Sequence, residues 1–286
     1  MLNFEIPDST TNLQINLKLI KSMREYPHLF LDNVSIEAVY GCPPKCIWNG
    51  GCVRLPGEKM SSQDVENVFQ VYNDNEVSYR LTFTNRLLEE SHLKDLYGNM
   101  ISKIGNSSIN AVIVATDMMQ QYICNNYKQY NIIQSICRMY KNLSEINTAS
   151  EKNLVCLPIG FNNDWLTLKS LAHPKNAIVL INEYCPISNC EFCQEHYESF
   201  SRIALGTCDQ YIKCKHQELK DKMLKNNESP NHNVFPTNYR RYEELGITHF
   251  KLNGRASSPK QLAALYVKYF AKKEYQNSLY QTLLDF

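Results

Sequence analysis

Residues 177–183 read Ala-Ile-Val-Leu-Ile-Asn-Glu, and Cys185 follows two positions later. The run is apolar and rich in β-branched residues, but too short for a helix. It therefore reads as a strand buried on both faces, as strands of parallel sheets are. Working outward, residues 154–157 (LVCL), 132–137 (IIQSIC), 111–115 (AVIVA), 79–84 (YRLTFT) and 35–40 (SIEAVY) repeat the pattern towards the N-terminus. Residues 247–252 (ITHFKL) repeat it towards the C-terminus, and residues 3–6 are an eighth candidate. Helix-like stretches lie between these runs. Ser61, Ser62 and Asp64 open one that carries Val65, Val68, Phe69 and Tyr72 at helical spacing. Others cover residues 87–104, 118–125, 143–149, 165–171 and 259–272. Alternating β and α units specify a parallel sheet clothed in helices. Eight such units predict an irregular (β/α)8 TIM-like barrel. The rival is an open doubly wound sheet, disfavoured because no Gly-rich turn follows the first strand.

The 286 residues are expected to form a single barrel domain with a Cys-rich insertion around residues 185–240. Residues 226–238 (NNESPNHNVFPTN) read as a loop. Lys+Arg (30) nearly balances Asp+Glu (29), so net charge gives no indication of nucleic-acid binding. There is no apolar run of about 20 residues, hence no transmembrane helix, and the first residues lack signal-peptide character. A cytoplasmic location is expected. In a reducing compartment, eleven cysteines point away from a disulfide framework and towards metal or redox use where they cluster.

Barrel chemistry sits just after the strands. Those positions hold Cys42, Asn85-Arg86, Asp117, Arg138, residues 182–185 and Arg255. Two cysteine clusters fall there. The first, Cys42, Cys46 and Cys52, has the spacing C-x3-C-x5-C; the second, Cys185, Cys190 and Cys193, has C-x4-C-x2-C. Thiolates are soft ligands, and short spacings converge sulfurs on one iron–sulfur cluster or one zinc. Three ligands from the second cluster and a fourth from the first, with Cys42 preferred, would complete a four-thiolate site. Cys208 and Cys214 are possible extra ligands. Isolated Cys124, Cys137 and Cys156 lie in apolar runs and read as core residues. The spacing has one residue too many for the radical S-adenosylmethionine motif, and zinc knuckles more often carry two C-x2-C pairs.

Other candidates have plain structural readings beside functional ones. His196 is a proton donor, a ligand or a capping histidine. Arg255 is an anion clamp or a surface ion pair. Asp117 reads as a helix N-cap and Trp48 as a packing residue. Neither G-x-S-x-G nor H-E-x-x-H occurs.

The segments AIVLINEYC, CEFCQEHY, LGITHFKLNGR and SIEAVYG resemble the collagenase-like peptidase family of (β/α)8 proteins. Gly246, Ile247, Lys251, Gly254 and Arg255 match that family's last-strand pattern, with Asn253 in place of the usual acid and Glu37 in place of an early Asp. The resemblance spans about residues 35–270. It implies a barrel and, from several family members, oxygen-independent hydroxylation of ubiquinone precursors or RNA bases. Some members hold a four-iron, four-sulfur cluster on four cysteines.

The leading expectation is thus an iron–sulfur redox enzyme, a hydroxylase or related group-transfer enzyme. Its 4Fe-4S cluster would sit on Cys42 (with Cys46 as a further candidate), Cys185, Cys190 and Cys193. Asn85, His196 and Arg255 would serve a small or planar substrate, with a partner protein left open. The alternatives are a zinc-containing barrel hydrolase or peptidase-like enzyme, and a non-catalytic metal-binding accessory protein.

Overall fold

The computed structural model describes residues 1–50, 57–183, 185, 187, 190, 193–226 and 228–285. Eight parallel strands close into a barrel in sequence order. They are β1 (Leu2–Pro7), β2 (Val34–Gly41), β3 (Ser78–Phe83), β4 (Ala111–Val114), β5 (Asn131–Gln134), β6 (Leu154–Cys156), β7 (Ala177–Leu180) and β8 (His249–Lys251). The helices are α1 (Leu13–Glu25), α2 (Ser62–Asn73), α3 (Leu96–Ile104), α4 (Asp117–Asn126), α5 (Leu143–Ser150), α6 (Trp165–Lys169), α7 (Cys193–Ala204), α8 (Gln217–Lys225), α9 (Tyr239–Glu244), α10 (Pro259–Phe270) and α11 (Gln276–Leu284). Among the described residues, no helix is long and apolar enough to cross a membrane.

All eight expected strands are present, and three helical segments differ from expectation. Helix α1 was not anticipated. It has no side-chain cap, but Ile15, Leu19 and Ile20 recur at helical spacing and are buried. The helix expected over residues 87–104 is divided, because the Asp95 carboxylate accepts from Gly98 N at 2.6 Å and so caps a new start. A 3-10 turn, Glu90–Lys94, precedes it. Helix α9 follows the expected loop and buries Tyr239 and Tyr242. The run at 132–137 stops at Gln134, where Ser135 Oγ accepts from Cys137 N and caps a 3-10 turn.

Strand parity divides the side chains into two sets. Phe4, Ile6, Val39, Leu81, Phe83, Val112, Val114, Val155, Val179 and Phe250 belong to the large core beneath the helices. Tyr40, Ile113, Ile133, Cys156 and Ile178 form a second, smaller apolar cluster. Beside it lies an ion network. Arg80 pairs with Glu5 and, at 2.8 Å, with Glu37; Lys251 Nζ donates to Glu5 Oε2 at 2.6 Å; His249 Nδ1 is 3.1 Å from Glu37 Oε2. Glu5 and Arg80 are 0% and 3% exposed, so the pairing is obligatory rather than ornamental.

Burial disfavours the charged forms of both acids, but their cations prevail. Lys251 and Arg80 hold the Glu5 carboxyl below its usual range. A His249 hydrogen bond and the Arg80 charge bring Glu37 down from 4.5 to about 2. Glu5→Gln should therefore destabilise the fold by about 3–5 kcal/mol, because it strands buried cations. Adding Lys251→Met should recover part of the loss, as urea unfolding of the pair will test. Because the two acids are depressed in the folded state, their contribution is complete above about pH 4.5 and is lost as pH falls towards 2. Acid unfolding followed by far-UV circular dichroism should show that window. A wild type whose unfolding midpoint is flat from pH 6 to pH 3 would contradict it.

Candidate functional site

The C-terminal strand ends hold two adjoining cavities. The first, about 70 Å³, is closed by Tyr40, Ile113, Ile133, Cys156 and Ile178, with Lys251 and Arg255 as its cations. Lys251 Nζ sits 3.6 Å from the Tyr40 ring centroid and Arg255 Cζ 5.7 Å from it, so the ring face supports both charges. Tyr40 OH donates to Leu252 O at 2.6 Å, fixing the ring against β8. Asp8 lies behind Arg255. Burial raises its carboxyl despite a hydrogen bond from Ala256 N and the nearby guanidinium.

The second cavity, about 240 Å³, is lined by Cys185, Cys190, Cys193 and Cys214, with His196 and three lysines, Lys213, Lys215 and Lys220. It shares Glu183, Tyr197 and Asn253 with the first. The shared wall is firmly built. The Asn182 amide donates to Asn253 O and accepts from Asn253 N, joining the exits of β7 and β8. The Glu183 carboxylate accepts from Cys185 N at 3.2 Å and from the Asn253 amide at 3.5 Å. Burial pushes both the Cys185 and Cys193 thiols up. Cys193 reaches about 12, helped by Cys190 and Cys185 beside it and by the hydrogen bond that its thiol donates to Cys190. His196 stands in the cavity wall; its Nδ1 is 3.0 Å from Ile212 O and its ring meets Phe200 edge-on at 5.0 Å.

This donor set suits a soft metal in kind: four thiols with cations to balance their charge. As they stand, no three His, Cys, Asp or Glu side chains among the described residues are close enough to share one ion. The sulfurs would have to draw together around a metal.

Several expected site residues lie elsewhere. Cys42 and Cys46 are buried and hydrogen-bond to each other, with Arg255 as the nearby cation; neither lines the thiol cavity. Cys42 does leave β2 at the same end as Cys185 leaves β7, but the closed barrel sets those strands apart. Cys52 lies outside the described residues. Asn85 does not line the cavities either. Its amide donates to Ile47 O at 2.7 Å and Ser201 O at 3.3 Å, and its Oδ1 accepts from Leu87 N. Gly50 approaches so closely that a Cβ there would stand 2.7 Å from Asn85 Cα. Asn85 is therefore a fastener between loops, where an amide serves because it donates and accepts at once. Arg138 is engaged by Asp117 at 2.6 Å and by Gln120. The cap of α4 is Thr116, with Asp117 in its first turn. Trp48 packs as expected: fully buried, edge-on to Phe83, with Nε1 donating to His92 O. Cys137 and Cys156 are buried, but Cys124 is exposed on α4, on the face opposite Ile123 and Met119.

Sequence reasoning passed over Lys251, Tyr40 and Tyr197 as site residues, and took in Glu183 only as part of the strand-end stretch 182–185. Lys251 had a signal: a cation at alternate spacing from His249 in an otherwise apolar strand must point into the lumen. Cys214 stood beside Cys208 as a possible extra ligand, and it is the chain's path after α7 that brings Cys214, and not Cys208, to the cavity lined by Cys185.

The fold has a known counterpart. The solved structure of the U32 peptidase Mk0906 superposes with a TM-score of 0.57 at 12% identity, covering 90% of this chain and 95% of that one. At that identity the likeness is one of fold alone. No family model matches the sequence, and no curated protein does.

Asn85→Ala should cost about 1–3 kcal/mol, because it leaves buried backbone groups unpaired, and metal uptake should be unchanged. Chemical denaturation and metal analysis of the same preparation check this. A variant of wild-type stability that fails to process a substrate would return Asn85 to the reacting site.

Proposed function

We propose that this barrel is a metal–thiolate enzyme in which an iron–sulfur cluster sits beside a small substrate cavity. The observation that carries the reading is the shared wall. Glu183, Tyr197 and Asn253 face both the cysteine-lined cavity and the mouth cavity with its Lys251 and Arg255. Cys185, Cys190 and Cys193 would hold the cluster, which would supply one-electron chemistry within reach of that wall. The mouth cavity suits a small or planar molecule: its lining is largely apolar, and its two cations lie over one aromatic ring. Arg255 would pair in a planar fork with an anionic group, and Lys251, held by Glu5, would stand beside it. The reaction proposed is hydroxylation without molecular oxygen, in which an organic hydroxyl donor supplies the oxygen atom and is itself reduced by two electrons, or a related group transfer.

A zinc ion on the same thiols is the competing reading, with a structural rather than redox role. The neighbour's name gives a peptidase reading, which the mouth cavity does not favour. Its Cys156 thiol is pushed up to about 12, chiefly by burial, and no histidine stands among its described lining residues to act as base.

Protein purified without air should be brown, with iron and acid-labile sulfide, whereas a zinc protein is colourless. Cys190→Ser and Cys193→Ser should each lower bound metal several-fold, since a hydroxyl is a poor soft-metal ligand. Cys124→Ser and Cys156→Ser should leave metal content unchanged, with only Cys156→Ser touching the core. Wild type free of both iron and zinc, or four variants that behave alike, would overturn the metal reading.

A further inference from the structure

The chain between α7 and α9 leaves the barrel on a long excursion. Leu205 is the last side chain before it that packs on the core, and Val234 is the first to rejoin it. From residue 206 to residue 229, none of the described side chains is buried. Tyr211, Ile212 and Leu219 are 52%, 46% and 41% exposed, and α8 has no buried residue among those described. Ordering some twenty residues costs roughly 1–2 kcal/mol each in backbone entropy, and apolar burial does not offset that here. Two contacts with α7 help at one end, where Tyr211 stacks on Phe200 at 5.3 Å and Ile212 O meets His196. Beyond them the excursion turns Cys214 inward, half-buried, into the cavity that holds Cys185, Cys190 and Cys193.

The flanking sequence fits a charged site. Lys213 and Lys215 bracket Cys214, and Lys220, one helical turn into α8, faces the same cavity. Four thiolates around a divalent ion or a [4Fe–4S]2+ core carry a net charge of about −2, and such a collar of cations balances it. Cys208 lies in the same excursion but does not line the cavity, and its Sγ donates to Gln210 O at 3.0 Å.

From this juxtaposition we infer that Cys214 is the fourth thiolate, and that the metal clasps the 206–229 excursion onto the barrel. The inference rests on the metal reading above and adds to it a ligand and a folding role. Four thiols give up their protons to solvent as the ion binds, and the binding free energy becomes ordering free energy for a segment that has no core of its own. The clasp also covers the thiol cavity, so that metal loading and closure of the site are one event.

Limited trypsin digestion tests the clasp without an activity assay, because Lys213, Lys215, Lys220, Lys222 and Lys225 all lie in the excursion. Full-length wild type is prepared without air, stripped with a chelator, and reloaded either with ferric iron, a thiol reductant and sulfide or with zinc. The stripped protein should be cut within the excursion at least tenfold faster than the loaded one, while the barrel stays intact. Cys214→Ser should bind several-fold less metal and be cut at the stripped rate under loading conditions. Cys208→Ser and Cys42→Ser should match wild type in metal content and protection. The far-UV spectrum and thermal midpoint of each stripped variant establish that the barrel itself is folded. If wild type takes up metal but Cys214→Ser takes up as much and is equally protected, the fourth ligand is another residue and the clasp is refuted, with the metal reading intact. Equal cutting of loaded and stripped wild type also refutes the clasp. Should wild type take up neither iron nor zinc, both readings fall together.

Discussion

The charge pairing of Glu5 with Arg80 and Lys251 is the constraint on which the rest of the molecule depends. Three strands, β1, β3 and β8, each place one ionised side chain where water is scarce. No one of these charges is tolerable alone, so the strands must meet in register for any of them to be buried. Closure of the barrel and neutralisation of its lumen are therefore one condition. The register between β1 and β8, with Glu5 opposite Lys251, is a direct expression of it.

The network also sets the character of the site. Lys251 is held from below by Glu5 and lies flat on Tyr40, which hydrogen-bonds to the backbone of the strand that carries the lysine. A flexible cation becomes a fixed one. Arg255 then joins it over the same ring, and the mouth acquires a positive floor with apolar walls. On the other side of Glu183, Tyr197 and Asn253 the chemistry changes from cationic and apolar to thiol. Two environments are separated by the thickness of a side chain, because β7 and β8 are neighbours and their exits are joined by Asn182 and Asn253.

Burial treats the cysteines in two ways. Cys42 and Cys46 are enclosed together beneath a loop that Asn85, Thr82 and Thr84 fasten to β3 and its exit, and their thiols are matched to each other. Cys190, Cys193 and Cys214 are only partly covered, and with the buried Cys185 they line a cavity that also holds lysines. A ligand needs access and a charge-balanced setting, which the second group has and the first lacks.

Amino-acid order alone determined the barrel. Eight short apolar runs alternating with helical stretches leave few other ways to bury both faces of a parallel sheet, and each run is recognisable from a window of a few residues. It also determined that Cys185 and Arg255 leave their strands at one end, since parallel strands share a direction. Where local patterning was thin, the outcome was decided by packing: residues 3–6 are interrupted by Glu5, whose burial makes sense only with Arg80 and Lys251 in place. Tertiary structure alone decided the membership of the site. Asn85 and Cys42 occupy the strand-end positions that chemistry favours, but neighbouring loops use up the amide of one and bury the thiol of the other. Cys214 is set far along the chain from Cys185 and comes to it through the path of an exposed excursion. A partnership of that kind is carried by three-dimensional distance, which spacing in a sequence does not encode.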